Sequence, residues 1–191
     1  MMKSIVLNGS PHKRGFTDAI VTYIAHHIPQ SKVLLARDIS MRDCIHCGYC
    51  KSNTLMTKQY TQGCCTIATE SDTNLFTELL SADIILWIAP IYFYHLPSVA
   101  KAIIDRSQAV YYMQEREEKN HIFYPILHAG RTQGKKLFEG TLLTLMYFAK
   151  ALGFTMGEAL LLRGTDEIEH VTIESYKERI IEYCKNNNII S

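Results

Sequence analysis

The stretch IILWIA at residues 84–89 is six apolar residues in a row, closed by Pro90. Such a run has no polar face, so a strand made from it must be covered on both sides, as at the centre of a parallel sheet. Residues 3–7, 31–36, 121–127 and 154–162 read as further strands. Residues 18–25, 72–80, 98–110, 137–152 and 173–184 carry the apolar spacing of helices. Ser71 or Asp72 suits the cap of the second helix, and Gly153 is a natural stop for the fourth. Five strands alternating with five helices define an α/β chain, and repeated βα crossovers lay helices on both faces of one open sheet. The pattern predicts a three-layer, doubly wound, five-stranded parallel sheet. At 191 residues the chain suits a single domain, 1–191, with a cysteine-rich loop insertion at about 40–70 and an exposed polar excursion at 111–120.

The formal net charge is +1 and the hydrophobic share is 47%, a balance that fits a globular domain and offers no basic surface to nucleic acid. The longest apolar stretch, residues 84–94, is interrupted by Pro90 and is too short to span a bilayer. The chain enters a strand at once, with no signal-peptide pattern. These features predict a cytoplasmic protein without membrane or nucleic-acid partners. In that compartment six cysteines are not a disulfide framework. Cys44, Cys47, Cys50, Cys64 and Cys65 share one segment, whereas Cys184 lies in a helical pattern and reads as a small buried hydrophobe.

The loop NGSPHKRGFT, residues 8–17, joins the first strand to the first helix. Backbone N–H groups, hydroxyls and basic side chains meet there, which is the chemistry of an anion site, most often for phosphate. It matches neither GxxxxGK[ST] nor GxGxxG, and an ordinary capped βα turn is the competing reading. Ligands of doubly wound sheets bind beyond the carboxyl ends of the strands at the topological switch point. The loops after strands one, three and four would meet there: the anion loop, the aromatic PIYFYHLP at residues 90–97, and HAGRTQG at residues 128–134.

Three stretches together resemble one family. NGSPHKRGFT looks like the GSPRxxGNT-type phosphate loop of flavodoxin-like NAD(P)H-dependent FMN reductases. APIYFYHLPSVAKAIIDR, residues 89–106, resembles their SPxYxxxxxxxLKxxxDR signature, and CIHCGYC, residues 44–50, resembles the cysteine motif of the iron–sulfur flavoprotein branch. The resemblance implies a flavodoxin-like sheet of order 2-1-3-4-5 and an FMN cofactor. Ser10 and Thr17 would offer hydroxyls to its phosphate, with His12, Arg14, Phe16 and backbone N–H groups around them. His12 stands where the family often has Arg, and Phe16 where Asn is common. Pro90, Ile91, Tyr92 and Phe93 would flank the isoalloxazine, and His128, Ala129 and Gly130 would close its other side. Apolar and aromatic walls suit such a ring, although packing in a core or subunit interface is the commoner fate of aromatics and the expectation for Tyr94.

Lys101, Asp105 and Arg106 read as structural, either surface charges or interface pairs. Arg131, Lys135 and Lys136 read as a solvated basic face rather than a nicotinamide-phosphate site. The implied activity is an oxidoreductase, as a homodimer or homotetramer, passing electrons from NADPH or NADH through flavin to a small-molecule or protein acceptor. Flavin carries that chemistry, so no catalytic side chain is required. The rival readings are a ferredoxin-linked electron carrier with no nicotinamide site, and a non-enzymatic metal-binding module with a vestigial flavin site.

Two residues separate Cys44 from Cys47, and two separate Cys47 from Cys50. Three thiolates on one tight loop suit a corner of a [4Fe–4S] cluster, and Cys64 or Cys65 could supply the fourth ligand. The resemblance favours Cys65, because Cys65-Thr66-Ile67 looks like the Cys-x-Ile that follows in the iron–sulfur branch. Zinc and plain thiols are the competing readings, and His46 is expected to be exposed rather than a ligand. A cluster beside the flavin loops would exchange electrons with FMN.

Overall fold

The computed structural model describes residues 2–52, 60–113, 120–165 and 173–190. Parts of the cysteine insertion (53–59) and of the polar excursion (114–119) lie outside the described residues. In chain order the elements are β1 (Ser4–Asn8), α1 (Phe16–His27), β2 (Lys32–Leu35), α2 (Tyr49–Ser52), α3 (Glu70–Leu80) and β3 (Ile84–Pro90). There follow α4 (Ser98–Arg106), α5 (Gln108–Tyr111), β4 (Ile122–Ala129), α6 (Glu139–Leu152), β5 (Thr155–Met156), β6 (Leu160–Arg163) and α7 (Lys177–Asn186). No described helix is long and apolar enough to cross a membrane.

The sheet runs β2-β1-β3-β4-β5, and every pairing is parallel. This is the flavodoxin-like order 2-1-3-4-5. The fifth strand position is filled by two pieces, β5 opposite Ile122 and Phe123, and β6 opposite residues 126–129. Local packing breaks what the apolar pattern reads as one strand over 154–162. Gly157 lies on the Tyr124 ring, where a Cβ would stand 2.5 Å from a ring carbon. The next carbonyl, that of Glu158, accepts from the Tyr183 hydroxyl at 2.6 Å.

Alternation along the strands sorts the core into two layers. Ile5, Leu7, Trp87, Phe123 and Leu127 pack with α3, α4 and α6 on one face. Val6, Leu86, Ile88 and Ile126 pack with α1 and α7 on the other. Double coverage is why β3 is buried at all seven positions. Cys184 is in the second layer, where burial pushes its thiol up to about 12 and leaves it a neutral filler.

Helix ends follow local chemistry. Thr69, not Ser71 or Asp72, caps α3: its hydroxyl accepts from the Asp72 N–H at 3.2 Å, and the Asp72 carboxylate accepts from the Thr69 N–H at 3.1 Å. The helix expected over 98–110 breaks at Ser107, whose hydroxyl donates to the Ile104 carbonyl at 2.6 Å. Gly153 ends α6 with φ of 85°, and the Phe154 N–H closes back on Ala149 at 2.9 Å.

Candidate functional site

The ends of β1, β3, β4 and β6 are held together by their own backbones. The Gly9 N–H donates to Ile88, the Ile91 N–H to His128 and the Thr165 N–H to Ala129, at 2.7, 2.8 and 3.1 Å. A Cβ at Gly9 would meet the Ala89 Cβ at 3.0 Å and the Ala100 Cβ at 3.3 Å, so a larger residue there would press these neighbours apart.

Within the loop after β1, Asn8 and Asp18 do the organising. Asn8 accepts from the Ser10 N–H at 2.9 Å and donates to Asp18 at 2.6 Å. Asp18 also accepts from the Arg14 N–H at 2.6 Å and from both terminal nitrogens of Arg37 at 2.8 and 3.2 Å. Partial burial pushes the Asp18 carboxyl up, but these donors outweigh it and hold the group below its ordinary range. The clamp lets Arg14 adopt a left-handed φ of 59°. Arg37, which follows β2, ties two sheet-edge loops together by donating to the His12 carbonyl at 3.3 Å.

What remains in the loop is a donor set. Ser10 Oγ accepts from the His12 N–H at 3.2 Å and so keeps its own proton available. No side chain caps α1, which leaves its first-turn N–H groups and the positive end of its dipole facing the loop. His12, Lys13 and Arg14 are exposed around it. Uncapped N–H groups, hydroxyls and cations suit an oxyanion and no cation. The Phe16 ring turns away, edge-on to His128 and Tyr176 with centroids 5.1 and 5.3 Å apart.

Thr17 lies beneath this loop with His128 behind it. Thr17 Oγ1 and His128 Nε2 are 2.7 Å apart, and His128 Nδ1 is 3.0 Å from Thr165 Oγ1. His128 is only 5% exposed, and desolvation lowers its pKa to about 4, so the ring is neutral near pH 7. It therefore stands behind the anion loop and does not line an open face. Ala129 is buried beside it, and Gly130 is half-buried.

After β3 the chain reverses tightly. Tyr92 and His95 exchange N–H to carbonyl bonds of 2.8 and 2.9 Å, with Phe93 and Tyr94 at the tip. Both tip residues have positive φ, 48° and 63°, as in a type I′ turn that usually takes Asn-Gly. Phe93 is fully exposed, Tyr92 and Tyr94 are exposed too, and Pro90 is buried at the strand end. Tyr94 also accepts from Arg131 at 2.7 Å. Lys135 and Lys136 are exposed.

Cys44, Cys47, Cys50 and Cys65 line one cavity of about 70 Å³, closed by Arg106 and Tyr112. Hydrogen bonds from Thr66 and the Tyr49 backbone hold the Cys47 thiol below its ordinary value. Burial pushes the Cys50 thiol up, and the nearby Cys65 and Cys44 add to the rise. Cys64 is buried apart from that cavity, where its Sγ accepts from the Thr61 N–H at 3.2 Å. His46 is exposed. Among the described residues no three Cys, His, Asp or Glu side chains make a single-ion site.

Arg106 corrects an expectation. Its side chain is not a surface or interface charge but is buried, paired with buried Asp72 at 2.7 Å and donating to the Arg42 carbonyl at 2.9 Å. Arg106 lies three positions after Ile103 on the buried face of α4, which was the available signal. Lys101 and Asp105 do pair near the surface, as expected. Beside the cysteines, Arg106 Nε, Asp72 Oδ1 and Tyr60 Oη are buried without hydrogen-bond partners among the described residues. Asp18, Arg37 and Thr165 were missed in the sequence. Asp18 lies one residue beyond the loop, whereas Arg37 and Thr165 reach it across long separations that leave no local signal.

The sequence matches the family model of NADPH-dependent FMN reductases over residues 2–161, and the chain belongs to that family. It is 24% identical over 137 residues to an iron-sulfur flavoprotein of Archaeoglobus fulgidus, a match covering 70% of this chain and 62% of that relative's length. Its fold is similar to that of a putative quinone reductase from Klebsiella pneumoniae, with TM-score 0.67 and 15% identity over 97% of this chain and 85% of that one. It is also similar to that of an NAD(P)H:quinone oxidoreductase from Methanothermobacter marburgensis, with TM-score 0.67 and 14% identity over 97% and 93% of the two chains.

Proposed function

We propose that the chain is an oxidoreductase that binds FMN at the carboxyl edge of its sheet. In this reading it passes electrons from NADPH or NADH to an acceptor. The observation that carries the reading is the donor set of residues 8–17, an uncapped helix start with hydroxyls and cations, beside an exposed aromatic turn. Bound flavin supplies the electron-transfer chemistry. The chain's part is to hold it: Ser10, Thr17 and the first-turn N–H groups take the phosphate, with His12 and Arg14 at the rim. Pro90, Ile91, Tyr92 and Phe93 form an apolar wall for the ring. The quinone activities in the names of similar structures make a quinone the first acceptor to try. Exposed Leu143, Met146 and Tyr147 on α6, at or near a groove of about 670 Å³, support a homodimer or homotetramer.

NADPH or NADH oxidation by the FMN-loaded protein, with a quinone present, tests the activity. Inactivity with both nucleotides would leave a ferredoxin-linked carrier. The Ser10→Ala, Thr17→Ala double variant should still fold, at a lowered melting temperature because Thr17 Oγ1 also partners buried His128. It should bind FMN at least about tenfold more weakly, since it removes two donors to a charged group. Unchanged affinity in a fluorescence titration refutes the phosphate assignment.

A second reading concerns the cysteines. Four thiols around one cavity suit a [4Fe–4S] cluster, in which each thiolate binds a different iron. Arg106, which lines that cavity and has an Nε without a partner among the described residues, suits a negatively charged occupant. Iron analysis and an anaerobic visible spectrum test it.

A further inference from the structure

His128 presents a hydrogen-bond problem with a definite solution. The ring is enclosed, with Phe16 edge-on at 5.1 Å, and each of its nitrogens has one hydroxyl partner. A neutral imidazole has one donor and one acceptor, and each threonine hydroxyl has one proton to give. Two arrangements satisfy both contacts. In the first, Nδ1–H donates to Thr165 and the Thr17 hydroxyl donates to Nε2. Thr17 then turns only lone pairs toward the loop. In the second, the Thr165 hydroxyl donates to Nδ1 and Nε2–H donates to Thr17. The Thr17 proton is then available to an oxyanion beside the uncapped start of α1.

We propose that His128 and Thr165 are positioning residues for the loop anion, and that phosphate in the loop selects the Nε2–H form of His128. The inference rests on the reading that residues 8–17 hold the FMN phosphate. Neither residue touches the anion; both act through Thr17. The chain phosphate, Thr17, His128, Thr165 is polarised in one direction, so each bond strengthens the next. It also joins the first βα loop to the end of β6, since Thr165 follows Gly164 just beyond that strand and its N–H donates to Ala129. Occupancy at the first loop is thereby felt at Thr165, beyond the end of β6.

The test is nitrogen-15 NMR of the histidine rings in the full chain, alone, with inorganic phosphate and with FMN. His128→Gln assigns the resonance. FMN affinity is titrated in parallel for wild type, Thr165→Val and Thr165→Ser. The expected result is a protonated Nε2 with FMN bound. Thr165→Val should bind FMN about three- to tenfold more weakly, the share of one hydrogen bond, and Thr165→Ser should restore it. A role confined to structure would move the melting temperature and leave the tautomer unchanged. If wild type binds FMN with the proton on Nδ1, or Thr165→Val binds as tightly as wild type, the inference fails and the phosphate reading stands. If wild type binds no FMN, both fail. Should Thr165→Val not fold, the wild-type tautomer decides alone.

Discussion

Replacing Arg106 with methionine tests the buried pair that joins α3, α4 and the cysteine segment. The side chains of Arg106 and Asp72 are 1% and 0% exposed, and their contact of 2.7 Å is the carboxylate's cationic partner. Methionine fills much of the same volume but leaves that carboxylate without its cationic partner, accepting from the Thr69 N–H. Breaking one side of a buried pair costs about 3–5 kcal/mol, mostly as uncompensated desolvation. Loss of the bond to the Arg42 carbonyl adds about 1 kcal/mol. That is a large share of a total stability of roughly 5–15 kcal/mol. With a urea slope of about 2–3 kcal/mol/M the variant's midpoint should fall by roughly 1.3–3 M. Asp72→Asn keeps a cap acceptor and strands the arginine instead, so the two single variants should be similarly destabilised. The double variant should lose less than their sum, because the second change removes the charge that the first left unpaired. A single-variant loss below about 1 kcal/mol, or strict additivity, refutes the account.

Other expectations follow from particular contacts. Burial holds the His128 pKa at about 4, below the ordinary histidine value of 6.5, so the unfolded chain binds its proton more readily than the folded one. Its stabilising contribution is full above about pH 6.5, declines as pH falls, and is gone below about 4, on the order of 3 kcal/mol in all. Urea midpoints at pH 7.5 and 4.5 should therefore diverge more in wild type than in His128→Gln, and equal divergence refutes this. Cys47→Ser should remove iron from the anaerobically prepared protein and leave FMN bound, as read by iron assay and flavin absorbance; full iron retention excludes Cys47 as a ligand. Phe93→Gly should stabilise the fold by about 1 kcal/mol through relief of its left-handed backbone while weakening FMN or acceptor binding. A drop in melting temperature would show that the turn is not strained.

The layered α/β order was legible because it depends on residue pattern alone. A continuous apolar run must be covered twice, and alternating periods fix the element order. Features decided by one residue against a distant one were not legible. The fifth strand looks continuous from Phe154 to Leu162, and only the Tyr124 ring under Gly157 and the Tyr183 hydroxyl on the Glu158 carbonyl break it. Arg106 and Asp72 look like ordinary helix charges, yet each continues a buried stripe, Ala100 and Ile103 before Arg106, and Leu75, Phe76 and Leu79 after Asp72. That spacing was readable; the partner across helices was not. At the sheet edge the anion loop was legible as a donor-rich corner. The clamp of Asp18 and Arg37 that shapes it came only with β2 laid beside β1.

Backbone strain gives an independent mark of where this chain departs from simple folding. Among the described residues, five non-glycine residues have positive φ: Arg14, His46, Phe93, Tyr94 and Asn188. Asn188 follows α7, and asparagine tolerates that region because its short side chain bonds locally. The other four have no such excuse, since a β-carbon there costs about 1 kcal/mol or more. They fall in the anion loop, the cysteine loop and the aromatic turn, which are the three segments that also carry the family resemblance. Glycine at any of these positions would suit the fold better. A type I′ tip made of Phe-Tyr with the phenylalanine wholly in solvent is hard to explain by packing, because neither its backbone nor its side chain gains from the arrangement. Strain of this kind persists where the surrounding structure over-determines it: Asp18 holds the Arg14 N–H, and the paired Tyr92 and His95 hold the tip. Strain, exposed aromatic surface and hydrogen-bond donors thus coincide at one sheet edge.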